Sequence, residues 1–369
     1  MTATQEKLLS ILADRLFNCE TDYCVSDEIK EEARLQAVNL LLDNSDYMIL
    51  GQNVRVDHAH AELTQTLSAI PFVTIKGYAS AFYYPEPVLR TMGDVDFYVE
   101  PAFYKKAKDA LLENGYNLME EEHERHESFR KGKVLFELHS EIKGIPNGKD
   151  GIKTTSKEAE AKVRSYLSDI IETSVTVPTQ HGDIIIPDAF HHGLVMLLHV
   201  AGHIMNGEGI GLRHLCDWAV YVDKVDVSTF SDQFQDMGLW TFACQLTAVC
   251  SKYLGLSDQE WVGKQDQVFL ADFMDDILSA GNFGRKDSGR YAGLNLSTGE
   301  PRVSSLAQMT MKRYKIVQDH KILLPGAMVV HGCVYFFERI TGQKKWVTLK
   351  NLSDGENRNK LYKEFKLFS

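Results

Sequence analysis

The chain has 369 residues, 44% of them hydrophobic and 25% charged, an ordinary globular composition with material for two packed units. A formal net charge of -11 argues against gripping nucleic acid mainly through phosphates and points to small-molecule or protein partners. No apolar run reads as long enough to cross a bilayer, and Met1 to Lys7 lacks the basic-then-apolar order of a secretory signal, so a cytoplasmic protein with no membrane partner is expected.

Residues 1–70 read as an N-terminal helical segment. Glu6 to Phe17, Glu28 to Leu42 and about Ala59 to Ala69 carry apolar residues at three-to-four spacing. The character changes at Phe72-Val73-Thr74-Ile75, a short β-branched run that ends in Lys76-Gly77. Asp94 to Val99 alternates, Ala102 to Asn114 is helical with Gly115 as its stop, and His123 to Ile142 reads as two strands around Lys131-Gly132-Lys133. Gly148 to Ser156 reads as a loop, and Val175 to Val177 with Asp183 to Ile186 as a hairpin turning at His181-Gly182. Strands mixed with helices make 71–187 an α/β or α+β unit. From 188 onward the pattern is a helical C-terminal domain, 188–369. Its helices are expected near 189–205, 211–224, 239–254, 258–279 and 304–321, with a long Gly/Asn/Ser-rich loop from Ala280 to Arg302. The tail after Thr341 carries little signal. The six cysteines, Cys19, Cys24, Cys216, Cys244, Cys250 and Cys333, include no CxxC pair and read as reduced thiols.

The chemistry concentrates in Arg90-Thr91-Met92-Gly93-Asp94-Val95-Asp96-Phe97-Tyr98-Val99. On a strand, alternate side chains share a face, so Asp94, Asp96 and Tyr98 point one way and Val95, Phe97 and Val99 point into a core. Two carboxylates at that spacing repel unless a cation lies between them, which is how hard divalent ions are held. The segment Val134 to Ile142 alternates as well, with Leu135, Glu137, His139 and Glu141 on one face. If it neighbours the Asp strand, Glu137 completes a three-carboxylate cluster able to hold two ions, and Glu137 or His139 is positioned to take a proton. A solvated sheet face carrying charges is the bland alternative for both strands.

Two further features are weaker. At Ile75-Lys76-Gly77-Tyr78-Ala79-Ser80, a strand running into a helix at glycine lets backbone N–H groups approach an anion, with Lys76 adding charge. After Pro187, His192, His199 and His203 fall on one helix face. The i, i+4 pair His199/His203 can bind zinc, but Val200 follows His199 and the HExxH pattern is absent, leaving cleft lining and ordinary packing as the open readings. Arg213 and Asp217 are four apart on a helix, as a local ion pair or as contacts to phosphate and acceptor. His58 and His60 read as surface or helix-entry residues.

Lys76-Gly77, Tyr84-Pro85, Arg90, Gly93-Asp94-Val95-Asp96, Glu137-Leu138-His139, the helix with His199, and Gly209 to Trp218 together resemble a bacterial nucleotidyltransferase family of the DNA polymerase beta superfamily, which also holds kanamycin nucleotidyltransferase. The resemblance covers roughly residues 30 to 225. It implies an α+β fold: a small, mixed, twisted nucleotidyltransferase sheet flanked by helices, with helical segments closing the cleft. It implies two Mg2+ ions on Asp94, Asp96 and Glu137, and a nucleoside triphosphate (NTP) steadied by Lys76, Gly77, Ser80 and Arg90, with His139, His199, Arg213 and Asp217 around nucleotide or acceptor. The superfamily usually has Gly-Ser or Gly-Gly at the turn, whereas this chain has Gly77-Tyr78, with Ser80 as the nearest hydroxyl. The expected activity is transfer of a nucleoside monophosphate (NMP) from an NTP to a hydroxyl of a small molecule or protein. The alternative from another class is a non-catalytic nucleotide-binding or regulatory protein that keeps the fold.

Overall fold

The computed structural model describes residues 1–17, 25–38, 47–87, 90–122, 126–146, 157–205, 208–281, much of 307–342, and 349–369. The chain forms two compact units, one of Met1–Phe283 with Phe365–Ser369, the other of Gly284–Glu364. The fold is α+β, a five-stranded mixed sheet flanked by helices.

In the first unit the chain runs α1 (Ala3–Leu16), α2 (Asp27–Leu35), α3 (Tyr47–Thr66), β1 (Val73–Thr74), α4 (Tyr78–Ala81), β2 (Asp94–Tyr98), α5 (Tyr104–Glu113), β3 (Asn117–Glu122), β4 (His126–Lys131), β5 (Val134–His139), α6 (Lys157–Tyr166), β6 (Val175–Pro178) and β7 (Asp183–Ile186). It continues with α7 (Ala189–Met205), α8 (Leu212–Lys224), α9 (Ser231–Asp236), α10 (Trp240–Leu254) and α11 (Gln267–Ala280). The main sheet has the order β1-β2-β5-β4-β3, and β6 and β7 form the separate expected hairpin. The β2–β5 pair is parallel and the other pairs are antiparallel.

The alternation sorts the sheet into two faces. Val95, Phe97, Phe129, Phe136 and Leu138 are fully buried in one core, with Val56, Ala59 and Leu63 of α3, Leu67 just after it, and Ala107 and Leu111 of α5. Burying such a side chain stabilises the fold by about 1.5–3 kcal/mol, so a register slip of one residue would place those residues in water and the carboxylates in the core. The other face carries Asp94, Asp96, Glu137, His139 and His126.

Several boundaries differ from the sequence reading. Helix α3 begins at Tyr47 rather than near 59. The polar Gln52 and Asn53 that hide its stripe donate to the carbonyls of Met92 and Arg90 at 2.9 Å each, and Asn53 also accepts from the Met92 N–H. Helix α2 stops at Leu35, with Ala37 at a φ of 53°. The helix expected over 258–279 starts only at Gln267, because Gly263 breaks the chain at positive φ and the Asp266 side chain caps the Val268 N–H. Strand β3 and helix α6 were not anticipated; β3, Asn117-Leu-Met-Glu-Glu-Glu, is a polar edge strand without alternation.

The second unit contains α12 (Leu324–Ile340) and α13 (Leu349–Lys363), neither read from the sequence. Contrary to the expectation of no bilayer-length apolar run, Lys321–Ile340 spans 20 residues with a hydropathy of 1.2, enough by length and composition to cross a membrane. Ile322, Val329, Phe337 and Ile340 along it are exposed. The loop expected from Ala280 to Arg302, beyond Gly281, and half of the helix expected over 304–321 lie outside the described residues. So do Cys19 and Cys24, while the other four cysteines are free thiols.

Candidate active site

Strands β2 and β5 run side by side in parallel with Asp96 opposite Glu137 and Tyr98 opposite His139. This register turns two stretches of local alternation into one acidic face. Oxygen atoms of Asp94, Asp96 and Glu137 all lie within 4.8 Å of one another. Asp96 is 3% exposed and therefore depends on its partners. Its Oδ1 accepts from Lys76 Nζ at 2.7 Å and pairs with His139 Nε2 at 2.8 Å. Burial would raise the Asp96 pKa, but Lys76 and His139 hold it well below the usual carboxylate range. Asp94 goes the other way. The neighbouring Asp96 charge, then burial, push it up to about 6, with Lys76 opposing. Two carboxylates thus share too little positive charge, the condition a divalent cation relieves.

Lys76 follows β1 and lies at the rim of this face. Burial would lower its pKa, but Asp96, then Glu137 and Asp94, keep it raised, so it is a cation throughout the neutral range. Gly77 is left-handed, φ 61° and ψ -110°, and an added Cβ would sit 3.3 Å from the Asp94 carbonyl oxygen and 3.2 Å from His60 Nε2. Only glycine lets this turn pass so close under β2. Ser80 is buried in the short helix α4 that follows.

Helices α7, α8 and α10 form the opposite wall. One cleft is lined by Lys76, Gly77, Ser80, Arg90, Asp94 and Asp96 on the sheet side, and by Val195, Met196, His199, Arg213, His214, Asp217 and Trp218 on the helical side. Trp218 is locked by its indole N–H donating to Thr247 Oγ1 at 2.9 Å. Arg90 and Asp217 are both buried and pair in two places, Nε to Oδ1 at 2.7 Å and Nη2 to Oδ2 at 2.9 Å, and Tyr84 donates to the same carboxylate at 2.8 Å. The Arg90 guanidinium is therefore already engaged by a carboxylate. Arg213 lines the cleft beside it, where burial, then Arg90, lower its pKa and Asp217 and Asp94 oppose.

Of the residues expected to hold metal, nucleotide or acceptor, Lys76, Gly77, Ser80, Arg90, Asp94, Asp96, His199, Arg213 and Asp217 line this cleft, while Glu137 and His139 adjoin Asp96 across the strand pair. The histidine face divides. His192 is fully buried and stacks on Tyr83 at 5.0 Å, away from the other two. His199 and His203 approach with Nε2 atoms 3.2 Å apart and group with His214. Burial holds all three imidazoles toward the neutral form, and His203, to which Glu208 is hydrogen-bonded, is lowered to about 4. His60 is corrected. It is 1% exposed, packed under Gly77 and Tyr78, and lowered to about 3 by burial. His126, which the sequence reading did not single out, also lies on the face that carries the carboxylates. Its signal was the register, since it lies opposite His139 on β4.

A family described as an uncharacterised nucleotidyltransferase matches residues 2–255, which include every site side chain named above. No curated protein and no solved structure matches the chain. With well over half its length matched, the chain belongs to this uncharacterised nucleotidyltransferase family.

Proposed function

We propose that the cleft binds an NTP with Mg2+ and passes its NMP to an acceptor hydroxyl on a small molecule or a protein. The observation that carries this reading is the convergence of three carboxylates from two parallel-paired strands, two of them lining a cleft that Lys76 and Arg213 also line and the third, Glu137, adjoining them. The donor set suits a hard dication: carboxylate oxygens only, one buried, and one with its pKa raised by its neighbour. Asp94, Asp96 and Glu137 would hold the ions, which supply charge neutralisation at the phosphates.

The remaining roles belong to this chain's own side chains. Lys76 and Arg213 draw the triphosphate into the cleft, and Gly77 with Ser80 forms the turn beneath it. The Arg90–Asp217–Tyr84 set braces the loop that leads into β2. His199 and Trp218 face the nucleotide or acceptor from the helical wall. The acceptor oxygen bonds to the α-phosphorus, the bond to pyrophosphate breaks, and the hydroxyl proton passes to solvent. Rate acceleration comes from positioning and electrostatics, because phosphoryl displacement asks little covalent work of the protein. In this reading the core is kanamycin-nucleotidyltransferase-like, the chain is bacterial, and it works in the cytoplasm. The net charge of -11 places nucleic acid behind small molecules and proteins as acceptor.

The test has two stages. NTP with Mg2+ should raise the melting temperature of the protein, and Asp94→Ala with Asp96→Ala should abolish the rise. Label in the α-phosphate should then appear on an acceptor. A rise that survives the double substitution sinks the site assignment. A carboxylate-dependent rise with no label transfer across an acceptor screen favours the non-catalytic nucleotide-binding reading.

A further inference from the structure

We infer that the metal centre is unsymmetrical: beside the all-oxygen set of Asp94, Asp96 and Glu137, the imidazoles of His126 and His139 form with Glu137 a nitrogen-bearing site for a transition-metal dication of the Mn2+, Co2+ or Zn2+ class. Binding at this site stands apart from the proposed function. Only its use in nucleotidyl transfer rests on that reading.

The sheet register builds the site. His139 lies two residues beyond Glu137 on the same face of β5, and His126 is the direct cross-strand partner of His139 on β4. The residue opposite Glu137 on β4 is Ser128, whose small side chain leaves space between the two imidazoles and the carboxylate. His126 and Glu137 keep 19% of their side-chain surface exposed, so the site has an entrance, while His139 at 5% forms its floor.

The distances fit an ion better than hydrogen bonds. Glu137 Oε2 lies 3.5 Å from His139 Nε2 and 3.7 Å from His126 Nε2. Those separations are long for N–H···O hydrogen bonds. They lie at or just beyond the spacing of donor atoms around one tetrahedral ion, about 3.4–3.6 Å when the bonds are about 2.1–2.2 Å. Donor atoms of all three residues lie within 4.8 Å of one another. Glu137 belongs to both this group and the carboxylate group, so it bridges them, and two ions sharing one carboxylate would be close neighbours.

The donor chemistry sets the preference. Two imidazole nitrogens suit Mn2+, Co2+ or Zn2+, whereas Mg2+ prefers an all-oxygen octahedron and sheds water reluctantly. His139 Nε2 also bonds Asp96 Oδ1, the oxygen that accepts from Lys76. Cationic or proton-bearing groups thus already converge where positive charge is needed, and an ion entering at His139 Nε2 replaces the N–H directed at Asp96. The other histidine cluster is less suited. Lys143 Nζ lies 3.2 Å from His203 Nε2, and His214 Nδ1 already accepts from the Gly211 N–H at 3.2 Å.

The test uses chelator-treated full-length protein and metal alone. Co2+ is titrated with visible absorption as the readout, and Mn2+ with electron paramagnetic resonance to count bound ions, without nucleotide. The wild type should give a nitrogen-ligated Co2+ band. His126→Gln should weaken Co2+ binding by at least about 10-fold, the scale of losing a group that shapes a metal site, and His126→Gln with His139→Gln should remove the band and lower the Mn2+ count by one. Asp94→Ala should keep the band. Circular dichroism identifies variants that fold; His126 is partly exposed, so the single variant stands if the double one fails. An unchanged Co2+ band and affinity in folded His126→Gln overturns the inference. So does a wild type without the band, and if Mg2+-dependent nucleotide binding then persists, the proposed function stands while the second site falls.

Discussion

Asp94 and Asp96 share one strand face yet titrate in opposite directions. Lys76 and His139 direct their hydrogen bonds to Asp96, which stays well below the usual carboxylate range, and Asp94, left with the repulsion, is pushed up to about 6. For Asp94 the native pKa exceeds the ordinary one, so the native state holds the proton more tightly than the unfolded chain. Its contribution is full below about pH 4 and is lost as pH rises to about 6. Asp94→Asn removes that loss, and after allowance for partial exposure should stabilise the metal-free protein by about 2 kcal/mol at pH 7. Buried neutral histidines act in both proteins and cancel in the difference between the two stability curves. That difference, from urea melts between pH 4.5 and 7.5, should grow up to about pH 6 and then level off. The same variant should lose the Mg2+-dependent rise in melting temperature with nucleotide. A flat difference curve contradicts the assigned repulsion.

The Arg90–Asp217 pair joins chain positions far apart in sequence within a buried environment. Removing one partner strands a buried charge, so Asp217→Ala should destabilise by about 3–5 kcal/mol. Tyr84→Phe loses one hydrogen bond to the same carboxylate and should cost about 1 kcal/mol. Denaturant melts of both variants, with a double-mutant cycle of Arg90→Met and Asp217→Leu, measure the coupling. Near-additive effects would show that the pair does not brace the cleft.

Gly77→Ala tests the turn beneath the cleft. The substitution places a side chain at φ 61° and brings Cβ to 3.3 Å from the Asp94 carbonyl oxygen, so β2 or the turn must shift. A stability loss of about 1–2 kcal/mol is expected, with a larger relative loss in nucleotide-induced stabilisation, because the displaced strand carries the carboxylates. Retained nucleotide stabilisation at wild-type strength would show that the turn does not set the site.

The two alternating strands were legible because period-2 patterning with an apolar back is local, and Val95, Phe97, Phe136 and Leu138 sit in the core as that pattern requires. Their parallel adjacency was not legible in the same way, since α5, β3 and β4 intervene and only the sheet order brings Asp96 opposite Glu137. Asp217 shows how local spacing misleads. The i, i+4 relation points first to Arg213, whereas the bidentate partner is Arg90, held there by tertiary packing. His60 looked like a surface residue because nothing in its neighbours announces that the Gly77 turn closes over it. His126 became visible only through cross-strand register with His139.

Gly144 sets how close the chain after β5 comes to the histidine-bearing helix. At φ 91°, it lies against α7 so tightly that an added Cβ would fall 1.7 Å from the Leu198 carbonyl oxygen, and its Cα in turn would lie 3.1 Å from a Cβ on Gly202. The obstacle is helix backbone, which cannot swing aside as a side-chain tip can. Gly144→Ala should therefore push α7 outward and destabilise by more than about 3 kcal/mol, combining backbone strain with loss of close packing. Lys143 directly precedes Gly144 and its Nζ lies 3.2 Å from His203 Nε2, so the displacement should also move Lys143 away from His203 and the neighbouring His199. Thermal melts give the first effect. Histidine side-chain NMR gives the second, as a shift of the two imidazole resonances in folded Gly144→Ala at low temperature. Wild-type stability in this variant would show that the segment after β5 does not fix the helical wall of the cleft.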